Sequence, residues 1–212
     1  MAFSLEALIL TLPGLIVALS FHEFAHALVA DVLGDPTPRR AGRLTLEPWA
    51  HLDPVGTLLL LFYRFGWARP VPVNPYNFQN PRRGMLWVAL AGPAANIIVA
   101  FVLGLALVAT ISLAPATGMW QTIVEMLRAG LFINVALAIF NLLPVPPLDG
   151  SRILGGVLPR GLAQRLADVE HLGPILLVIL LMTGVGGRLI APAVYWLQRT
   201  IVLVALGLLA WL

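Results

Sequence analysis

Polar and apolar positions in this chain fall into long apolar blocks separated by two polar, proline-rich stretches. The first block runs from about Ser4 to Leu33 and contains "ALILTLPGLIVALSF" (residues 7 to 21), which has no charge. It closes with "GDPTP" (Gly34 to Pro38), a glycine stop followed by prolines. A helix of that length reaches about 45 Å against a hydrocarbon core of about 30 Å, so it must tilt, protrude or bend at Pro13-Gly14. From Gly84 to Val124 there is no charge, and "APATG" (Ala114 to Gly118) divides the run. That pattern predicts helices over about 84–113 and 120–143. Two further apolar segments, about 172–187 and 190–212, flank "GVGGR" (Gly184 to Arg188). The expectation is five spans with no internal repeat.

Two stretches do not read as spans. Residues 34–83 contain the short alternation Arg43-Leu-Thr-Leu-Glu47, which suggests a strand or hairpin. They continue through an apolar piece, Val55 to Phe65, into "RPVPVNPYNFQNPRR" (Arg69 to Arg83), which suggests an extended or re-entrant loop. Residues 144–171 begin "PVPPLDGSR" and then resemble an amphipathic surface segment.

Composition turns these blocks into a class. Of 212 residues 59% are hydrophobic and 11% charged, against roughly 25% charged in soluble domains. Mean hydropathy is +0.92. The reading is an all-α, multi-pass membrane protein with a small membrane-associated hairpin or re-entrant region. Residues 1–212 are expected to form one integral-membrane domain, with a three-helix core over about 4–155 and added helices over about 172–212. The net charge of +3 comes with thirteen arginines, no lysine and no dense basic run, so nucleic acid is not the expected partner. Seven of the thirteen lie between residues 39 and 83, and three more at 152, 160 and 165. With five spans both loops share one side, and the positive-inside rule makes it cytoplasmic. The N-terminus is then outside and the C-terminus inside. No Lys or Arg precedes Arg39, so the first helix lacks a signal peptide's basic region and is expected to be retained.

Against that apolar background "FHEFAH" (Phe21 to His26) stands out. Ionisable groups at mid-bilayer cost roughly 2.5–3.5 kcal/mol each on insertion scales, so something must offset them. Residues four apart on a helix sit about 5–6 Å from one another, so His22 and His26 can share a metal. Glu23, one residue on, can reach a water without being a ligand. This is the H-E-x-x-H arrangement of zinc hydrolases; a chance match of three positions is the alternative. With no cysteine, a metal must be held by His, Asp or Glu. Asp31 and Asp35 lie near the helix end, where water is expected, and Glu125 has Arg128 three residues on. Asp149 follows twenty uncharged residues, Ala129 to Leu148, in "NLLPVPPLDGSRIL", and reads either as a third ligand or as an interfacial turn.

The pairing of "HEFAH" with "NLLPVPPLDG" resembles the site-2 protease family of intramembrane zinc metalloproteases. "AGPAAN" (Ala91 to Asn96) is similar to that family's Gly-Pro-x-x-Asn element, and "HLDPVGT" (His51 to Thr57) to another. The resemblance implies one Zn²⁺ per chain, held by His22, His26 and Asp149, with Glu23 as general base. It implies that Asn141 contacts substrate or the oxyanion; an interhelical hydrogen bond is the alternative. Asn96 reads as a cross-helix bond, and His51 and Asp53 as either cleft residues or a surface turn. The implied activity is hydrolysis of peptide bonds in or near the spans of single-pass membrane proteins, from a site toward the cytoplasmic leaflet. Regulatory inputs would come from membrane partners, since the chain is expected to lack the PDZ or CBS domain of other members. A non-proteolytic metal-binding protein or transporter is the competing class. Residues 43–47 are expected to pair with unwound substrate, or else only to stabilise their loop.

Overall fold

The computed structural model describes residues 5–63, 66–113, 115 and 117–210. Ser4, Arg64, Phe65, Ala114 and Leu212, which serve above as boundaries or in the arginine count, lie outside the described residues. Helix α1 (Leu5–Val32) is continuous through Pro13. It stops where expected, and the reason is local. Gly34 takes φ +103°, and Gly34 N and Asp35 N bond back to Asp31 O and Ala30 O. The positive φ favours glycine, and the two bonds occupy carbonyls that the helix end would otherwise leave unpaired.

Between α1 and the next span come three short helices, α2 (Thr37–Arg40), α3 (Pro48–His51) and α4 (Pro54–Tyr63). Asp53 caps α4, its Oδ1 accepting from Gly56 N at 2.7 Å. The expected hairpin is not there: among the described residues the only β pairing is a single bridge, Leu52 to Ala68. Residues 43–47 form no strand, and several of their backbone groups bond locally. Arg43 N bonds Pro38 O, Thr45 O accepts from His51 Nε2, and Glu47 N donates to Thr45 Oγ1. The extended chain lies instead at residues 66–74, which run without helix into a 3₁₀ turn at Pro75–Asn77. Asp35 anchors its far end. This residue is buried, not solvated, and its carboxylate accepts from Asn74 N and Asn77 Nδ2, both at 2.7 Å, and from Thr37. Burial alone would raise its pKa, but those hydrogen bonds win and hold the carboxyl below its ordinary range.

Helices α5 (Pro81–Leu113) and α6 (Met119–Asn141) pack against α1 and against each other. Their contacts use small residues, with Ala18, Ala27 and Ala30 on α1, Ala89 and Ala100 on α5 and Ala138 on α6 all buried. In lipid, where apolar surface gains little from leaving its solvent, close backbone approach of this kind drives helix association. Large side chains such as Ile98, Val102 and Ile111 face outward.

The stretch after α6 carries α7 (Asp149–Val157), lying on α5, and the amphipathic α8 (Arg160–Asp168). Then come α9 (Gly173–Met182) and α10 (Val185–Leu209), the latter packed on α5 and α6. Four helices among the described residues are long and apolar enough to span a bilayer, not five: α1, α5, α6 and α10. The segment expected over 172–187 is broken at Gly184, whose φ of +68° ends α9 after ten residues. Such a helix rises about 15 Å, half of what a span requires.

The alternation of α1, α5 and α6 fixes sidedness for the loops. The chain contains no cysteine, so single cysteines at the exposed positions Arg40, Arg160 and Thr117 can be labelled cleanly in intact vesicles. Arg40→Cys and Arg160→Cys should react from one face and Thr117→Cys from the other. Labelling of all three from one face would break this three-span core.

Candidate metal centre

His22 and His26 lie one turn apart on α1, and both are buried. Asp149 is the first residue of α7, brought over by a loop in which Pro144, Pro146 and Pro147 prevent the helix from continuing. One oxygen and two nitrogens converge there. His22 Nε2 is 3.0 Å from His26 Nε2, and Asp149 Oδ2 lies 3.2 Å from the first and 3.3 Å from the second.

The tautomers follow from the partners on the far side of each ring. His26 Nδ1 is 2.7 Å from Val88 O, which can only accept, so Nδ1 carries the hydrogen. His22 Nδ1 is 2.6 Å from Asn96 Oδ1. The Asn96 amide cannot be reversed, because its Nδ2 donates to Ala18 O at 2.9 Å and to Asn134 Oδ1 at 3.0 Å. Asn134 is held in turn, its Nδ2 donating to Gly130 O. Both imidazoles, when neutral, therefore point a lone pair at a carboxylate oxygen that is itself buried and without a hydrogen-bond partner.

Three lone pairs facing one point repel unless a cation sits among them. A tetrahedral zinc with bonds of about 2.0–2.2 Å needs donors about 3.3 Å apart, the spacing seen here. His22, His26 and Asp149 are also the one His/Asp/Glu group among the described residues with the geometry to hold a metal. The residues fit zinc. Carbonyl-type oxygens behind both histidines are the usual outer partners of metal-bound imidazole.

Gly92 on α5 completes the fit. A Cβ there would come within 2.6 Å of His22 Cε1, His26 Cε1 and His26 Nε2. The rings thus lie directly on the α5 backbone, and only glycine leaves room for them.

Glu23 is buried beside the histidines, and its Oε2 accepts from Val71 N of the extended stretch at 3.2 Å. Asn141 ends α6, half-buried, its Nδ2 donating to Leu137 O of its own helix at 3.0 Å. His51 is fully buried, is not one of the three grouped donors and is bonded to Thr45 O. Asp31 pairs with Arg39, and Glu125 with Arg128 as its spacing suggested. Two elements escaped the sequence reading. Asn134 is one; its signal was an amide in the uncharged second half of α6, the kind of intramembrane polar group that marks a site. Val71 is the other, and a backbone N–H leaves no side-chain signature.

Residues 110–183 match the profile of Peptidase family M50. The chain is 40% identical to YwhC of Bacillus subtilis (strain 168) over 188 residues, 84% of this chain and 82% of that protein. It is 29% identical to Rip2 of Mycolicibacterium smegmatis over 197 residues, 89% of this chain and 72% of that one. With MJ0611 of Methanocaldococcus jannaschii it shares 30% identity over 153 residues, 72% of each chain. All three carry the provisional name of zinc metalloprotease. No solved structure matches the chain.

The outer partners should matter to metal affinity. Asn96→Ala frees the His22 tautomer and should weaken zinc binding about 10- to 100-fold, read by competition with a chromogenic chelator. Wild-type affinity in that variant would mean the amide relay does not set the ligand.

Proposed function

Because this chain belongs to peptidase family M50, the site-2 metalloproteases, we propose that His22, His26 and Asp149 hold one zinc ion and that Glu23 is the general base. The observation that carries this reading is the convergence of two imidazole lone pairs and an unpartnered carboxylate oxygen. Zinc, when bound, supplies the Lewis acidity that makes water a nucleophile near neutral pH and polarises a carbonyl.

The rest falls to the chain's own groups. Glu23 Oε2 is held by Val71 N–H. Its other oxygen, Oε1, takes the proton from the attacking water and passes it to the leaving amine nitrogen. Asn96 and Val88 keep the hydrogens of both rings on Nδ1, so each Nε2 is left with its lone pair free to hold the metal. Asn141 contacts the substrate backbone, exchanging Leu137 O for a substrate carbonyl.

The substrates in this reading are single-pass membrane proteins cut in or near their spans. An unwound span needs partners for its exposed amides, and the stretch at 66–74 is the extended backbone nearest Glu23. The arginine-rich loops support a cytoplasmic position for this end of α1, so the Arg40 and Arg160 labels should come from that side. The catalytic unit is α1, α5, α6 and the start of α7, with other membrane proteins supplying regulation.

Two variants separate ligand from base. Asp149→Ala should lose zinc, measured by metal analysis of the purified protein, and with it all cleavage of a quenched-fluorescent transmembrane peptide. Glu23→Gln should keep one zinc per chain and lose about 10²- to 10⁴-fold in rate. Cleavage at the wild-type rate by Glu23→Gln would sink the proposed base, and full zinc retention by Asp149→Ala would remove that residue from the ligand set.

A further inference from the structure

The alternating stretch at 43–47 fails as a strand, yet its first residue reaches the catalytic carboxylate by another route. Arg43 is only 4% exposed. Its Nη1 donates to Pro70 O at 3.1 Å, and its Nη2 donates to Arg69 O. Nη2 also lies 3.4 Å from His51 Nδ1, the lone-pair nitrogen of a ring whose Nε2–H is committed to Thr45 O. One residue further along, Val71 N donates to Glu23 Oε2. Pro70 C=O and Val71 N–H are the two ends of a single peptide group, which is planar and rigid. A guanidinium therefore holds the oxygen end of that group while the carboxylate takes its hydrogen end.

From this geometry we infer that Arg43 is a positioning residue for Glu23, acting through the Pro70–Val71 peptide. The inference rests on the reading of Glu23 as the base. Hydrogen bonds in series polarise one another, so a cation at the carbonyl makes the Val71 N–H a stronger donor to the carboxylate. The flanking prolines, Pro70 and Pro72, each have φ fixed by their rings, so the peptide has little freedom to turn away. Holding Oε2 in this way leaves Oε1 to point at the reacting water.

A role limited to bracing the loop explains Arg43 poorly. Its Nε is buried and has no partner among the described residues. No carboxylate pairs directly with its guanidinium, since neither described arginine–acid pair includes it. Burial pulls its pKa below the ordinary arginine value, and the charge of Glu23 pulls in the opposite direction. An apolar side chain of similar volume commonly braces a buried loop as well or better. Arginine is what the position needs if the carbonyl must be held by a fixed charge.

The test is a double-mutant cycle on the full-length protein in phosphatidylcholine vesicles, with a quenched-fluorescent transmembrane peptide that the wild type cleaves. Arg43→Met removes the cation, and Val71→Pro removes the N–H within an already extended, proline-flanked stretch. Each should lower kcat about 10- to 100-fold, the scale of a misplaced catalytic group, with KM and zinc content unchanged. The double variant should be no slower than the worse single variant, because both changes break the same connection. Arg43→Lys should recover part of the loss by restoring a donor to Pro70 O. Losses that multiply, or a fall in zinc content with Arg43→Met, would overturn the inference.

A second readout needs no activity. In a fragment covering residues 69–74, Pro70 and Pro72 carry no amide hydrogen, so deuterium exchange reports mainly Val71, Val73 and the Asp35-bonded Asn74. Arg43→Met should speed exchange of one hydrogen in that fragment, and unchanged exchange would contradict the proposal. Glu23→Gln distinguishes the two levels. If it cleaves normally the reading of the base fails, whereas an inactive Glu23→Gln beside multiplying losses removes Arg43 alone.

Discussion

Three lone pairs aimed at one point, where almost no water reaches, are the constraint to which the rest of this structure answers. Two imidazoles and a carboxylate cannot be left unpaired in a packed helical core, because each desolvated polar group without a partner costs several kcal/mol on a hydrocarbon scale. A divalent cation held there would turn that liability into a stable centre. Its donors must then keep the right hydrogens in the right places, and this accounts for the amides behind them. Asn96 and Asn134 form a relay across α1, α5 and α6, ending on backbone carbonyls at both sides. The side-chain amides of Asn96 and Asn134 both find acceptors, so the relay adds no orphan to the core.

The helix packing reads as a consequence of the same demand. His22 can reach Asn96, and His26 the carbonyl of Val88, only if α1 and α5 lie almost backbone to backbone. Gly92 permits that approach, and the buried alanines of α1 extend it along the helix. Bulky side chains are consequently displaced to the outer surface, where lipid accepts them. A soluble protein with so many exposed Ile, Leu and Val side chains would aggregate.

Much of this was legible in the sequence. The H-E-x-x-H spacing and the glycine stop at Gly34 each follow from one residue type at one position; the structure ends α1 there and brings His22, His26 and Asp149 together. The errors share a different character. Residues 43–47 alternate as a strand should, but alternation says nothing of whether a backbone group is already spoken for, and the side chains of Thr45 and His51 claim Glu47 N and Thr45 O. The apolar run at 172–187 has the composition of a span, but the left-handed Gly184 cuts it short. Asp35 sits at a helix end, where exposure is the default, and is buried because Asn74 and Asn77 return to it from some forty residues away. In each case the deciding contact is distant in sequence or lies in the backbone, and neither is written in a local pattern.

The extended stretch beside Glu23 follows from the same accounting. Inside a helix every amide beyond the first turn is consumed by a carbonyl four residues back. Glu23 stands deep in α1, so neither its own helix nor its neighbours α5 and α6 can spare a backbone N–H for its carboxylate. Only non-helical chain can, and non-helical chain is costly at membrane depth because its amides want partners. Proline resolves the conflict. Pro70, Pro72 and Pro75 remove three donors from a short stretch and keep it from coiling. Of the four amides that remain, three are committed: Arg69 N to His51 O, Val71 N to Glu23 and Asn74 N to Asp35. A sequence as proline-dense as "RPVPVNP" is thus what a buried carboxylate on a membrane helix requires of the chain that comes to meet it.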